Sequence, residues 1–337
     1  MTKKPFLLLS LYILASVAGC THSSDFVFLQ GGALGTTYAV TFKKPPEALP
    51  DLIPCIEETV ALCFEQINNS MSIYNIHSLL SKINNNLSQE TDSLFRVVFS
   101  KAIEISEKTN GAFDISAGPF FELWGFGEQE KESPTSASLE EMHQYVGMDK
   151  FRLEGFELQK KDPRSRLNMN AIAKGFASDH IAAALQGFGI TDFLVEIGGE
   201  IVCKGLNPKK KLWSIGIDSP IDGNVSPGEN VYVTVRLTDK ALATSGNYRN
   251  FYMQDGQRIA HIIDPKTGIP VTHSLLSATV IADDCMTADA YATAFMVMGP
   301  CAAIDFLKNH PELGAYLIYE DNQVYKTFVT DNINTDL

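Results

Sequence analysis

No two cysteines in this chain stand at a spacing that binds zinc or frames a disulfide-stapled fold, although there are six of them. Cys55 and Cys63 fall on one expected helix about 12 Å apart at ~1.5 Å per residue, too far to bridge. Buried thiols are the expected state of the set. No G-x-G-x-x-G follows a strand, which excludes a dinucleotide held in the Rossmann manner. Internal repeats, low-complexity tracts and long linkers are also missing, so the chain reads as one unit. Basic residues are scarce, with 27 Lys and Arg against 40 Asp and Glu and a formal net charge of −13. That balance argues against nucleic acid and against an anionic-membrane surface as partners. An acidic protein that holds a phosphate needs local donors or a divalent cation, because its overall field repels the ligand.

What is present is a globular composition, 45% hydrophobic and 20% charged over 337 residues, enough for one large domain or two of usual size. The opening MTKKPFLLLSLYILASVAGC runs from Lys3 and Lys4 through an apolar stretch, Phe6 to Val17, into small residues. This is the layout of a secretory signal, and it is too short to span a bilayer. Val17-Ala18-Gly19-Cys20 is similar to a bacterial lipobox, in which the Cys becomes the lipidated first residue. The expected organisation is a signal peptide over 1–19, a short tether over 20–30 beginning at lipidated Cys20, and a catalytic domain over 31–337. The mature protein would be exported and anchored to a membrane facing the periplasm. Loss of Lys3 and Lys4 with the signal takes the formal charge from −13 to −15.

Thr36 to Phe42 has strand content, and 52–67 carries Leu52, Ile53, Ile56, Val60, Phe64 and Ile67 at helical spacing. A second helix spans 93–108 on Leu94, Val97, Val98, Ala102 and Ile105, stopped by Asn110-Gly111. Ser138 to Glu141 reads as a capping box. Strand-like runs then pair around turn residues: 151–153 with 156–158, 193–197 with 200–204, and 231–237 followed by 251–253 and 258–263 across Asp255-Gly256. Helices at 171–186 and 286–298 lie between them. Hairpins outnumber crossovers, so the fold class is α+β, a mixed, largely antiparallel sheet with helices packed on it.

Four stretches carry chemistry. In TADAYATAFMVMG, Asp289 and Thr293 lie one turn apart on one helix face while Phe295 and Val297 point elsewhere. A carboxylate and a hydroxyl so placed suit a hard cation such as Mg²⁺; alternatively Asp289 helps cap the helix and Thr293 bonds back within it. In NMNAIAKGFASDH, Lys174 occupies a first helical turn, where a cation is misplaced for the helix dipole and either meets an anion such as a phosphate or is simply solvated, and the Ala171 carbonyl could serve as a neutral metal ligand. In HIIDPKTGIP, His261 and Asp264 are presented at a strand end by a tight turn, a place for catalytic groups, though Asp264 could simply close an Asx-turn. The loops GAFDISAGP, MSIYN and ATSGNYRNF offer small residues, a carboxylate and aromatics, with Tyr74 able to stack on a planar ring or to pack.

Taken in order, Gly35-Thr36-Thr37-Tyr38, Met71-Ser72-Ile73-Tyr74, Gly111-Ala112-Phe113-Asp114, Ala173-Lys174-Gly175, Gly198-Gly199-Glu200, Ser245-Gly246-Asn247-Tyr248, the 261–268 turn and Ala288-Asp289-Ala290 resemble the ApbE family of FAD:protein FMN transferases. The resemblance implies Mg²⁺ held by Asp289, Thr293 and the Ala171 carbonyl. It implies an FAD site lined by Leu34, Tyr74, Ala112, Phe113, Asp114, Asn168, Lys174 and Ile263. Leu34 stands where the family usually has Met, and Asn168 where it usually has an acid. The implied reaction cleaves the FAD pyrophosphate and joins FMN through a phosphoester to a Thr of an acceptor protein, releasing AMP, with His261 or Asp264 as the base. An Mg²⁺-dependent FAD pyrophosphatase and a non-catalytic flavin-binding lipoprotein are the competing readings.

Overall fold

The computed structural model describes residues 25–45, 50–126, 134–221, 228–248, 251–254 and 257–336. The expected signal peptide over 1–19, Cys20 and the expected Asp255-Gly256 turn lie outside them. An eight-stranded sheet forms the frame, in the order Phe26–Ala33, Thr36–Lys43, Phe193–Ile197, Glu200–Lys204, Lys240–Gly246, Leu275–Ala282, Gly314–Asp321 and Val324–Val329. Every neighbouring pair in it is antiparallel, so the sheet expected to be mixed and largely antiparallel is antiparallel throughout, a meander from which insertions leave and return. The first strand takes in residues 26–30, which the sequence reading gave to the tether; it is an edge strand with no fully buried residue, so its pattern is weak.

Seven helices are described: α1 (Leu52–Met71), α2 (Leu79–Asn84), α3 (Ser93–Lys108), α4 (Gly118–Leu123), α5 (Ser136–His143), α6 (Ala173–Gly187) and α7 (Cys285–Lys308). On α3 the buried face is Phe95, Val98, Phe99, Ala102 and Ile105, whereas Val97 is half exposed, a displacement of the expected stripe by part of a turn. Asn110 and Gly111 end it with φ of 50° and 77°, in the left-handed region as expected. The capping box of α5 starts at Thr135, with Ser138 at its third position rather than at the cap, because the Thr135 side chain accepts from Ser138 N–H. α7 breaks at Gly299 (φ 76°) before Pro300, which is why helical pattern fades at Met298.

Both faces of the sheet are covered. Ala241, Ala243, Val280, Ala315 and Leu317 point into the main core with α1, α3, α6 and α7. The alternate residues Leu242, Ile281, Tyr316 and Ile318 meet a small sheet of Trp213–Asp218, Val231–Leu237 and Thr335–Asp336 on the other side. Cys63, Cys203 and Cys285 are buried free thiols, but Cys55 and Cys301 are exposed, against the expectation for the set. Each lies on the outward side of its helix.

Candidate active site

A cleft of about 820 Å³ opens where the sheet meets α6 and α7. Its floor begins with a two-residue hairpin. Gly198 and Gly199, φ 63° and 105°, join Phe193–Ile197 to Glu200–Lys204, a turn that needs positive φ at both positions. Glu200 is thereby the first residue of the returning strand, 2% exposed. Its Oε1 lies 2.6 Å from Lys174 Nζ, and its Oε2 is buried with no hydrogen-bond partner. Burial works against the Lys174 charge, but Glu200 and then Asp289 outweigh it and hold the ammonium above its ordinary pKa. Burial pushes the Glu200 carboxyl up, with Lys174 opposing and Asp289 adding to the rise.

Asp289 sits one turn into α7 and is 5% exposed. The cap of α7 is Asp284, which accepts from Thr287 N–H at 2.7 Å, so capping does not explain Asp289. Asp289 Oδ2 accepts Gly175 N–H at 3.0 Å. This contact exists because α6 and α7 cross at Gly175, where a Cβ would stand 2.4 Å from the Cys285 carbonyl oxygen and 2.8 Å from Asp289 Cβ. Gly175→Ala therefore forces the helices apart. The expected cost is about 1–3 kcal/mol of overpacking, read as a lower thermal midpoint, together with loss of activity as Asp289 is displaced. Asp179, one turn further along α6, accepts both Cys285 N–H and Met286 N–H at 2.8 Å and ties the same two helices. Burial pushes its carboxyl up to about 7 against those two donors.

Thr293, Val297, Ala171 and Asn168 also line the cleft, so Val297 faces it rather than pointing elsewhere. Phe295 is in the core. Tyr74 stands at the mouth, 66% exposed, its hydroxyl accepting from Asn170 Nδ2 at 3.3 Å. Ala112, Phe113 and Asp114 form another wall; Asp114 is pushed up by burial and accepts Ser116 N–H at 2.7 Å. Asn168 Oδ1 accepts Asn170 N–H at 3.0 Å. Ile263 and His261 line the cleft beside Phe121, Phe126 and Tyr252, whose rings form a chain: Phe121 to Phe126 at 5.5 Å, Phe126 to Tyr252 at 5.3 Å and Phe126 to His261 at 6.3 Å.

Two expected site residues are placed elsewhere. Leu34 occupies the left-handed turn between the first two strands (φ 51°), packs on the main core and is not among the cleft's lining residues. Asp264 accepts Lys266 N–H at 2.9 Å in an Asx-turn and is likewise not among them. Its carboxylate is engaged by the turn, whereas His261 lines the cleft. Glu200 and the aromatic chain had no assigned role in the sequence. The signal for Glu200 was a charged residue straight after Gly-Gly at a strand start.

One buried carboxylate with an oxygen to spare, a hydroxyl and a nearby carbonyl can hold a hard cation that shares its remaining sites with substrate oxygens. Among the described residues there is no group of three or more His, Cys, Asp or Glu that could hold a metal by itself. An antiparallel α+β frame thus carries a large cleft with an aromatic wall and a buried cation–carboxylate floor, built without a Rossmann turn.

Known proteins share this architecture. The ApbE family model matches residues 34–317. The chain is 38% identical over 299 residues to the FAD:protein FMN transferase of Vibrio cholerae, covering 87% of each, and 35% identical over 323 residues to that of Haemophilus influenzae, covering 93% and 92%. The structure of the flavin transferase ApbE from Vibrio cholerae superposes with a TM-score of 0.81 at 32% identity over 91% of this chain and 97% of that one. The apo Pseudomonas stutzeri flavinyl transferase ApbE gives 0.81 at 27% identity over 91% and 95%. The chain belongs to the ApbE family and is a transferase.

Proposed function

We propose that this chain is an Mg²⁺-dependent FAD:protein FMN transferase, exported and lipid-anchored through Cys20, which moves FMN from FAD onto a Thr hydroxyl of an acceptor protein and releases AMP. The carrying observation is the buried Lys174–Glu200–Asp289 cluster at the floor of a nucleotide-sized cleft. Asp289, Thr293 and the Ala171 carbonyl would hold the cation, which supplies charge stabilisation at the diphosphate. The protein's own part is positional and electrostatic. Tyr74, Ala112 to Asp114, Asn168, Ile263 and the aromatic chain hold the two ring systems, and Lys174 meets the phosphate charge that builds on the leaving AMP. The acceptor oxygen forms a bond to the flavin-side phosphorus, the bridging P–O bond breaks, and its electron pair leaves with AMP. An imidazole nitrogen of His261 takes the hydroxyl proton.

Incubation with FAD, Mg²⁺ and a candidate acceptor should give flavin fluorescence on the acceptor band in a denaturing gel, equimolar AMP, and neither when EDTA is in excess. AMP and free FMN without acceptor labelling would make the protein a pyrophosphatase. Tight FAD binding with no AMP would make it a carrier and overturn the transferase.

A further inference from the structure

The charge of this acidic chain is unevenly spread. One end of the main sheet is formed where Phe26 pairs with Lys43, Phe42 with Phe193, and Phe193 with Lys204. The 205–212 turn closes over that end. Leu206 N–H donates to Asp192 at 2.7 Å, the Trp213 indole donates to the Lys204 carbonyl at 3.0 Å, and Trp213 meets Phe26 edge-on at 6.3 Å. Lys43, Lys44, Lys209, Lys210 and Lys211 are exposed here. Lys43 reaches Asp192 at 3.8 Å, but among the described residues Lys44 and the three lysines of the turn have no carboxylate within ion-pair distance. Asp25 and Asp239 flank these lysines, and Asp283, Asp284, Glu312 and Asp331 lie further along the same end toward the opposite sheet edge, with Asp283 engaged by Lys240.

The tether begins at the same place. Asp25, whose carbonyl accepts Lys44 N–H at 2.7 Å, follows Cys20 by five residues. Five extended residues reach about 17 Å at most, less than the ~19 Å radius of gyration of a 300-residue domain. A lipid on Cys20 therefore keeps this end of the sheet near the bilayer. The cleft is at the opposite end: the strand Lys240–Gly246 starts beside Lys204 and ends at Gly246 in the cleft lining, a run of about 20 Å at ~3.3 Å per residue.

We propose that the face made by Lys44, Lys209, Lys210 and Lys211 docks on anionic lipid headgroups and seats the anchored enzyme with its cleft on the side away from the membrane. Whole-chain charge hides this face, because an overall −13 says nothing of where the lysines are. The acidic remainder is repelled by the same headgroups, so attraction at one end and repulsion elsewhere select one orientation. The proposal rests on the lipid-anchor reading of Cys20.

The test uses the mature acylated protein in phosphatidylethanolamine vesicles with and without phosphatidylglycerol, labelled with a water-soluble amine reagent and mapped by mass spectrometry. Lys44, Lys209, Lys210 and Lys211 should label about three-fold or more slowly on the anionic vesicles, with Lys108 on α3 unchanged and the protection lost in about 0.5 M salt. The triple variant Lys209→Glu, Lys210→Glu, Lys211→Glu should lose the protection at Lys44 and keep flavin transfer to a soluble acceptor. Equal labelling on both vesicle types, or salt-resistant protection, overturns the docking face. If mass spectrometry finds Cys20 without lipid, the anchor reading fails separately. Salt-sensitive sedimentation of the isolated protein with anionic vesicles then supports the lysine face, and its absence overturns it.

Discussion

Asp289→Ala loses AMP release from FAD by a factor of at least about 10²–10³, the scale of removing one electrostatic element aimed at developing charge. Asp284, not Asp289, caps the helix, and among the described residues the one hydrogen bond of Asp289 is from Gly175 N–H. Burial pushes its carboxyl up, with Lys174 and the Gly175 N–H opposing. A carboxylate whose charged form burial disfavours gains from a cation placed beside it. Asp289→Asn separates charge from shape, since the amide oxygen can still accept from Gly175 while the negative charge is gone. It should fold with a thermal midpoint close to wild type, bind Mg²⁺ far more weakly by titration calorimetry, and share the loss of turnover. Full AMP release in either variant at ordinary Mg²⁺ concentration would remove Asp289 from the metal site.

The elements legible in the sequence were those with one wet face. α1 and α3 show 3.6-residue periodicity, and the 193–204 hairpin announces itself by Gly198-Gly199 between alternating runs. Leu275–Ala282 and Gly314–Asp321 escaped because both their faces are buried, under helices on one side and the Trp213 sheet on the other, so no alternation survives. The same logic divides the site. Asp289 and Thr293 share a helix, and local spacing is enough to bring them together. Glu200 meets Lys174 only through the packing of a strand end on α6, a contact no local pattern encodes. Asp264 shows the opposite failure, a loop acid whose turn chemistry uses it up.

Glu200→Gln should raise the Mg²⁺ concentration for half-maximal activity by about ten-fold or more, the worth of one charge-assisted hydrogen bond at the lower end of its ~1.5–3 kcal/mol range. Two buried carboxylates face one ammonium here, and only Glu200 is within ion-pair reach of it, at 2.6 Å. While Glu200 holds Lys174, Asp289 keeps an oxygen for a cation. With a neutral amide at 200, Lys174 has one anion left to turn to, and it competes with the cation for Asp289. Excess Mg²⁺ should recover part of the lost rate, whereas Lys174→Met in the same background should restore Mg²⁺ affinity without restoring kcat, because the phosphate partner is then missing. Removing one partner of a buried pair also leaves Lys174 without its counter-ion, so the variant should melt earlier than wild type. A variant starved for Mg²⁺ whose rate recovers in part with excess Mg²⁺ marks Glu200 as a positioning residue for Lys174. If it melts early with an unchanged Mg²⁺ requirement, the carboxylate is only a structural prop and the division of labour between the two acids is wrong.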